Sequence, residues 1–242
     1  MSQFTPIDNI YTYTSSMTVD GVVYTVDKAT WADKDAWVNS SWIYGDEVGI
    51  STEVLEREWN VWWHSSLNAV VPLEIGTFAR FMTAFRVNNQ IAGFYHAMYE
   101  HSPAGEKIVT DFRATIVDSF RGKGHYKYMY ALAANGTIKR GYNMDITMMH
   151  NAHGVRKPLV QIDGVTHTGS SKMEWKDKNG NEVWRQYFKG DAAKLDTALK
   201  AKYGDIPHTE SYTSPSDSRW ASPLVLEYLG ENSGAPSVSE GF

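Results

Sequence analysis

Apolar and polar positions alternate along this chain in two rhythms, and the changes of rhythm mark its elements. Ile10 to Thr14 and Val22 to Val26 are short β-prone runs, and Asp20-Gly21 between them is a hairpin signal. Ala29 to Val38 reads as a capped helix, with Thr30 as N-cap and Asp33 in the first turn. Glu53 to Trp63 is a second helix, because its apolar residues 54, 55, 59, 62 and 63 follow helical spacing. Phe78 to Val87 and Ile91 to Glu100 then alternate as strands joined by Asn88-Asn89, and Ser102-Pro103-Ala104-Gly105 turns the chain into a third, Lys107 to Val117.

A Gly-rich turn, Phe120-Arg121-Gly122-Lys123-Gly124-His125-Tyr126, follows that strand. It leads into Lys127 to Ala134, which lacks Gly and Pro and reads as a helix ending near Arg140-Gly141. Met144 to Met149 is a short apolar strand, and Asn151 to Gly164 has no clear period. Lys172 to Lys176 and Glu182 to Phe188 form a last hairpin around Asn179-Gly180. Asp191 to Gly204 is a short amphipathic helix with a cap at each end. Beyond Gly204 the chain is rich in Ser, Pro, Thr and Gly, with one apolar island from Pro223 to Leu229. Gly230 to Phe242 reads as a segment that orders only against something else. A partner protein or a second copy of the chain is the expected occupant.

Composition narrows the classes. The 242 residues suffice for one large domain with an extension, and 42% hydrophobic with 21% charged residues describes an ordinary globular chain. A net charge of -5 argues against nucleic acid as the main partner. No apolar run reaches the length of a membrane span, and the polar start Met1-Ser2-Gln3-Phe4-Thr5 is not a signal peptide, so the expected place is the cytoplasm. The absence of cysteine removes disulfides, thiolate metal sites and Cys nucleophiles. The 9 Trp and 14 Tyr fit a strongly aromatic core or an aromatic binding face.

The Gly-rich turn carries the clearest chemistry. A short turn from a strand into a helix aims backbone N–H groups and the positive end of the helix dipole at one spot, which suits a phosphate. It is not a Walker loop, because Arg-Gly-Lys-Gly has the wrong order. It is not a dinucleotide fingerprint either, because a third glycine is missing. It resembles the pyrophosphate loop of the GNAT superfamily, the acyl-CoA-dependent N-acyltransferases: Ile116, Phe120, Arg121, Gly122 and Gly124 match that pattern. Ser119 stands where many members have Gln or Arg, and His125-Tyr126 replaces the frequent Ile-Gly. The order of elements from about Gly21 to Phe188 resembles the family too, as does Ile91-Ala92-Gly93 on the preceding strand.

The resemblance implies an α/β (mixed-sheet α+β) fold, antiparallel in its first half and splayed between the strands ending near Val117 and Met149. Residues 1–188 would form this domain, with an N-terminal β-hairpin, and 189–242 a C-terminal extension. It also implies acetyl-CoA, or another acyl-CoA, in the opening. Ile116 and Val117 would then lie beside it, and the N–H groups of Arg121, Gly122, Lys123, Gly124, His125 and Tyr126 would hold its pyrophosphate. Asn151 stands where many members carry an Asn that contacts the cofactor; it is equally placed to cap a helix. The tyrosine that commonly protonates the departing thiolate has no counterpart in Lys157 to Gln161.

Acyl transfer to an amine needs a base. By resemblance that base is a carboxylate on the strand before the loop, and Asp111 is the acid inside it. His96, Glu100 and His101 on the preceding strand are further candidates. His150 and His153 stand three apart with no acid at matching spacing, so no metal site is expected. Three functions follow: an N-acyltransferase acting on an amine, a structural or interaction protein that keeps the fold without catalysis (a phage virion component, for example), and a phosphate-binding protein of another fold.

Overall fold

The computed structural model describes residues 11–40, 52–67, 75–149, 164–176 and 180–212. Among these residues nine strands form one sheet in the order β7-β8-β6-β5-β4-β3-β2-β1-β9. They are β1 (Tyr11–Val19), β2 (Val22–Lys28), β3 (Thr77–Val87), β4 (Gln90–His101), β5 (Lys107–Ile116), β6 (Asn143–Met149), β7 (Val165–Lys176), β8 (Glu182–Gly190) and β9 (His208–Tyr212). Among the described residues four α-helices accompany them: α1 (Lys34–Val38), α2 (Thr52–Leu67), α3 (Tyr126–Lys139) and α4 (Ala192–Tyr203).

The first five strands form an antiparallel meander, as their turn residues predict. Asp20 and Gly21 both take positive φ, 51° and 77°, and Asn88 and Asn89 do the same at 48° and 64°. These are the mirror-image turns whose twist matches a two-residue hairpin. Thr30 and Asp33 cap the start of the α1 segment, Thr30 N donating to Asp33 Oδ2 at 2.8 Å.

Alternation then assigns the two faces of the sheet. Tyr13, Phe81, Phe85, Tyr95, Ala97, Tyr99, Val109 and Phe112 pack into one buried cluster with α3, which is buried from Met129 to Thr137. Leu195 and Leu199 of α4 join the same cluster. The opposite face carries Phe94, against which Trp37 of α1 packs at 5.5 Å, with Trp59 of α2 a further 5.5 Å from Trp37. Among the described residues Trp37, Trp59, Tyr13, Tyr24, Tyr95, Tyr99, Tyr130 and Tyr142 are buried, so these aromatics belong to the core.

β4 and β5 approach closely at Gly93, where a Cβ would stand 2.4 Å from the Thr115 carbonyl oxygen. Glycine at the Ile91-Ala92-Gly93 step is thus a packing requirement. Further along, His96 faces Arg113 and Met98 faces Thr110, so Ala97 lies opposite a bulge at Asp111-Phe112.

Three features differ from the expected layout. β7 starts at Val165, seven residues before Lys172, because its polar Thr-His-Thr-Gly-Ser-Ser stretch is ordered by its ladder with β8 rather than by propensity. β9 was hidden for the same reason, since His-Thr-Glu-Ser-Tyr is polar throughout. The third concerns the expected division after Phe188. β8 runs on to Gly190, α4 packs against the core, and β9 pairs with β1 at the far edge of the sheet. Ile206 lies in the core, so the extension is joined to the domain at least as far as Tyr212. The Pro223 to Leu229 island and Gly230 to Phe242 lie outside the described residues.

Candidate cofactor and acceptor site

β5 ends at Ile116, a single 3-10 turn covers Asp118–Phe120, and α3 begins at Tyr126. The Gly-rich turn therefore sits between a strand and a helix N-terminus, as its sequence predicts. Gly122 and Gly124 take φ of 73° and 76°, a left-handed conformation that costs a residue with a Cβ about 1–2 kcal/mol. A Cβ at either position would meet nothing within 4 Å, so the space beside both is open.

The backbone hydrogen bonds stop at this turn. Phe120 N donates to Val117 O and Arg121 N to Asp118 O, while Tyr128 N and Met129 N both reach His125 O. From Gly122 to Lys127, no backbone N–H finds an acceptor among the described residues. Consecutive amides left open at a helix N-terminus form an anion cradle.

The basic side chains shape the cradle rather than fill it. Arg121 donates from Nε to Ile116 O at 2.8 Å and pairs with Asp118 at 2.8 Å. Lys123 Nζ donates to Ser119 O at 2.7 Å and lies 5.4 Å from the Phe120 ring centre. His125 leans on Tyr24 and Phe120, at 5.8 and 5.7 Å, and its Nδ1 has no hydrogen-bond partner. Partial burial and the nearby Lys123 charge hold its pKa below the ordinary imidazole value. Tyr126 packs against the core, and burial pushes its phenol pKa up, so it stays protonated.

The cradle lies at the mouth of an opening in the sheet. β5 and β6 are its parallel pair, and their register holds only at Ile108 with Asn143 and Val109 with Met144. Beyond that point both strands continue, to Ile116 and Met149, without pairing. A crevice outside the carboxyl ends of strands is where open α/β sheets bind ligands. Ile116 and Val117 stand at the end of β5 beside this crevice.

The candidate bases separate along β4 and β5. Asp111 falls in the β5 bulge, and neither it nor Phe112 has a register partner on β4. His96 is fully buried, opposite Arg113 on the splayed stretch. Glu100 and His101 lie opposite Ile108 and Lys107, level with the closed end of the opening and remote from the cradle. Asn151, His150 and His153 lie outside the described residues. Among the described residues no cluster of three His, Asp or Glu could hold a metal ion.

One buried acid is absent from the sequence reading. Glu58 of α2 is 2% exposed, on the inner face with Leu55 and Trp59. Its helical spacing from Leu55 is the signal that places it there. α2 thus carries a carboxylate over the face of the sheet that also holds His96, Thr115 and Phe94.

Solved structures share this fold. A spermidine N-acetyltransferase from Vibrio cholerae in complex with CoA and spermine superposes with a TM-score of 0.53 at 15% identity, covering 71% of this chain and 97% of that one. The chain has the GNAT acetyltransferase fold. A GNAT-family acetyltransferase from Streptococcus pneumoniae matches at TM-score 0.51 and 13% identity, over 69% of this chain and 98% of that chain. RimJ from Mycobacterium smegmatis, in complex with CoA-disulfide, matches at 0.52 and 12%, over 77% and 94%. No protein-family model and no curated protein matches the sequence. The GNAT fold is thus reached at identities where only the order and packing of elements persist. No helix among the described residues is long and apolar enough to cross a membrane.

Proposed function

We propose that this chain is an N-acyltransferase that moves an acyl group, acetyl in the simplest case, from acyl-CoA to an amine. One observation carries the reading: the open amides of Gly122 to Lys127 lie at the N-terminus of α3, beside the unpaired ends of β5 and β6. A pyrophosphate fits there because it accepts many hydrogen bonds and matches the positive end of the helix. Two structures of the same fold contain CoA or CoA-disulfide, which supports an acyl-CoA as the ligand.

Bound acyl-CoA would supply an activated thioester carbonyl, and the protein would supply position, polarisation and a base. Arg121, held to Ile116 O and Asp118, fixes the turn that carries the amides. The bulge at Asp111-Phe112 interrupts the ladder with β4, and a backbone N–H of β5 would polarise the carbonyl. Asp111 is the proposed base that takes the proton of the attacking amine, with Asn151 a further contact. A second reading, a non-catalytic interaction module of the same fold, is supported by Tyr126, which packs into the core where the family pattern has glycine.

The test is thiol release from acetyl-CoA by the full chain against a panel of primary amines and amino acids, with Gly124→Asp as control. Amine-dependent release by the wild type, lost in the control, supports the enzyme. Tight acetyl-CoA binding with no release from any acceptor supports the module.

A further inference from the structure

Arg185 of β8 lies level with the opening in the sheet, and among the described residues no acid pairs with it. Registers fix its face: Val109 aligns with Met144, and Met144 with Gly190, all on the side of α3 and α4. Phe188 and Gln186, two and four residues before Gly190, continue that side, so Arg185, aligned with Met149, belongs to the opposite face. That is the face covered further along by α1 and α2. Met149 ends β6, so Arg185 stands level with the open end of the gap between β5 and β6.

Arg185 is half-buried. Its Nε is buried without a hydrogen-bond partner, and no carboxylate pairs with it among the described residues. Its cross-strand neighbour Ser171 bonds instead to the Tyr187 hydroxyl, at 2.8 Å. Glu182, the acid of the same strand, is engaged by Lys172. A partly buried guanidinium with an empty Nε is costly unless an anion completes it. Its planar fork suits a carboxylate, and its single charge balances a carboxylate better than a doubly charged phosphate.

We infer that Arg185 receives a carboxylate of the acceptor, so that the amine substrate is an amino acid or another amine bearing an acid group. This rests on the acyltransferase reading above and narrows its substrate class. Arg185 is a specificity residue here: it holds the acid end while the amine faces the opening.

Two measurements test it. The first follows the side-chain Nε–H resonance of Arg185 in the full chain, assigned by its loss in Arg185→Lys. Titration with N-acetylglycine should shift it saturably, and N-acetylglycinamide should not. No shift with the acid, or a saturable shift with inorganic phosphate in its place, would overturn the inference. The second compares kcat/KM for amino acids with that for their amides, using acetyl-CoA as donor. Acids should be preferred by about tenfold or more, and Arg185→Gln should erase the preference while leaving turnover of the amides. Turnover that favours amides would overturn the inference and leave the acyltransferase standing. A saturable shift with the acid in a protein that releases no thiol would leave the carboxylate site standing and remove the proposed reaction.

Discussion

Arg140, at the end of α3, and Glu210, in the middle of β9, form an ion pair with Nε and Oε1 2.5 Å apart. The arginine side chain is 6% exposed. It also donates from Nη1 to the Tyr99 hydroxyl at 2.7 Å and lies 4.5 Å from the Tyr13 ring centre. Nearby, Ser15 Oγ meets His208 Nδ1 at 2.5 Å, and His208 Nε2 meets Glu210 at 2.7 Å. One buried cation thus ties the C-terminal strand to α3 and the sheet. Removing its carboxylate leaves that charge uncompensated, so Glu210→Ala should cost about 3–5 kcal/mol in urea unfolding. Truncation before Asp205 also removes Ile206 from the core and should lower stability further. A truncated chain as stable as the full one would show that β9 is an ornament on the sheet.

A second, partly buried ion group joins β2 and β3, toward the same edge of the sheet. Arg86 reaches Asp27 at 3.0 Å and Asp33 at 3.2 Å, beneath a hollow of ≈ 230 Å³ lined also by Thr12, Thr14 and Lys28. Burial raises the Asp27 pKa, and Arg86 only partly offsets this. The folded chain therefore holds this proton more tightly than the unfolded chain does. Asp27 costs stability above its folded pKa, and the cost is relieved as pH falls through that value. Arg86→Met should destabilise by about 3 kcal/mol near neutral pH, because it leaves two acids without their cation. The deficit should shrink as pH falls through the carboxylate range. A deficit independent of pH would assign the loss to packing alone.

His125 offers a spectroscopic check on the cradle. Its pKa lies below the ordinary imidazole value in the free protein. In that case the folded state resists protonation, and stability falls as pH drops below the ordinary imidazole range. A diphosphate bound to the adjacent amides would favour the imidazolium. Titration of the His125 ring protons should give a low pKa alone and a higher one with CoA. An unchanged pKa in a CoA-saturated sample would place the anion elsewhere.

Much of this was legible in the sequence for a physical reason. The elements that carry Asp20-Gly21, Asn88-Asn89 and Gly122-Lys123-Gly124 are fixed by local backbone chemistry, which a single sequence displays. The open amides of the cradle follow from the same turn. β7 before Lys172 and β9 were not legible, because polar strands are held by their neighbours' ladders. Glu58 and Arg185 carry charges that read as solvent-facing, and only the packing of α2 and the register of β8 turn them inward. Asp111 was legible as the acid of its strand, whereas the bulge that interrupts the ladder there is a property of two strands together.

That bulge sets the catalytic prediction. If Asp111 takes the amine proton, Asp111→Asn should lower kcat by about 100-fold or more with little change in acetyl-CoA affinity. The wild-type rate should fall as pH drops through the range where the carboxylate protonates. An unaltered kcat in Asp111→Asn would move the role to another group, with His96 of β4, paired with Arg113 of β5, the next candidate.

Calorimetric titration of the full chain with acetyl-CoA tests the central claim most directly. The cradle predicts saturable binding in the micromolar range or tighter. Gly122→Asp and Gly124→Asp should abolish it, since each strains a left-handed residue and places a carboxylate where an anion must sit. Absence of binding at millimolar acetyl-CoA, or undiminished affinity in both glycine variants, would contradict it.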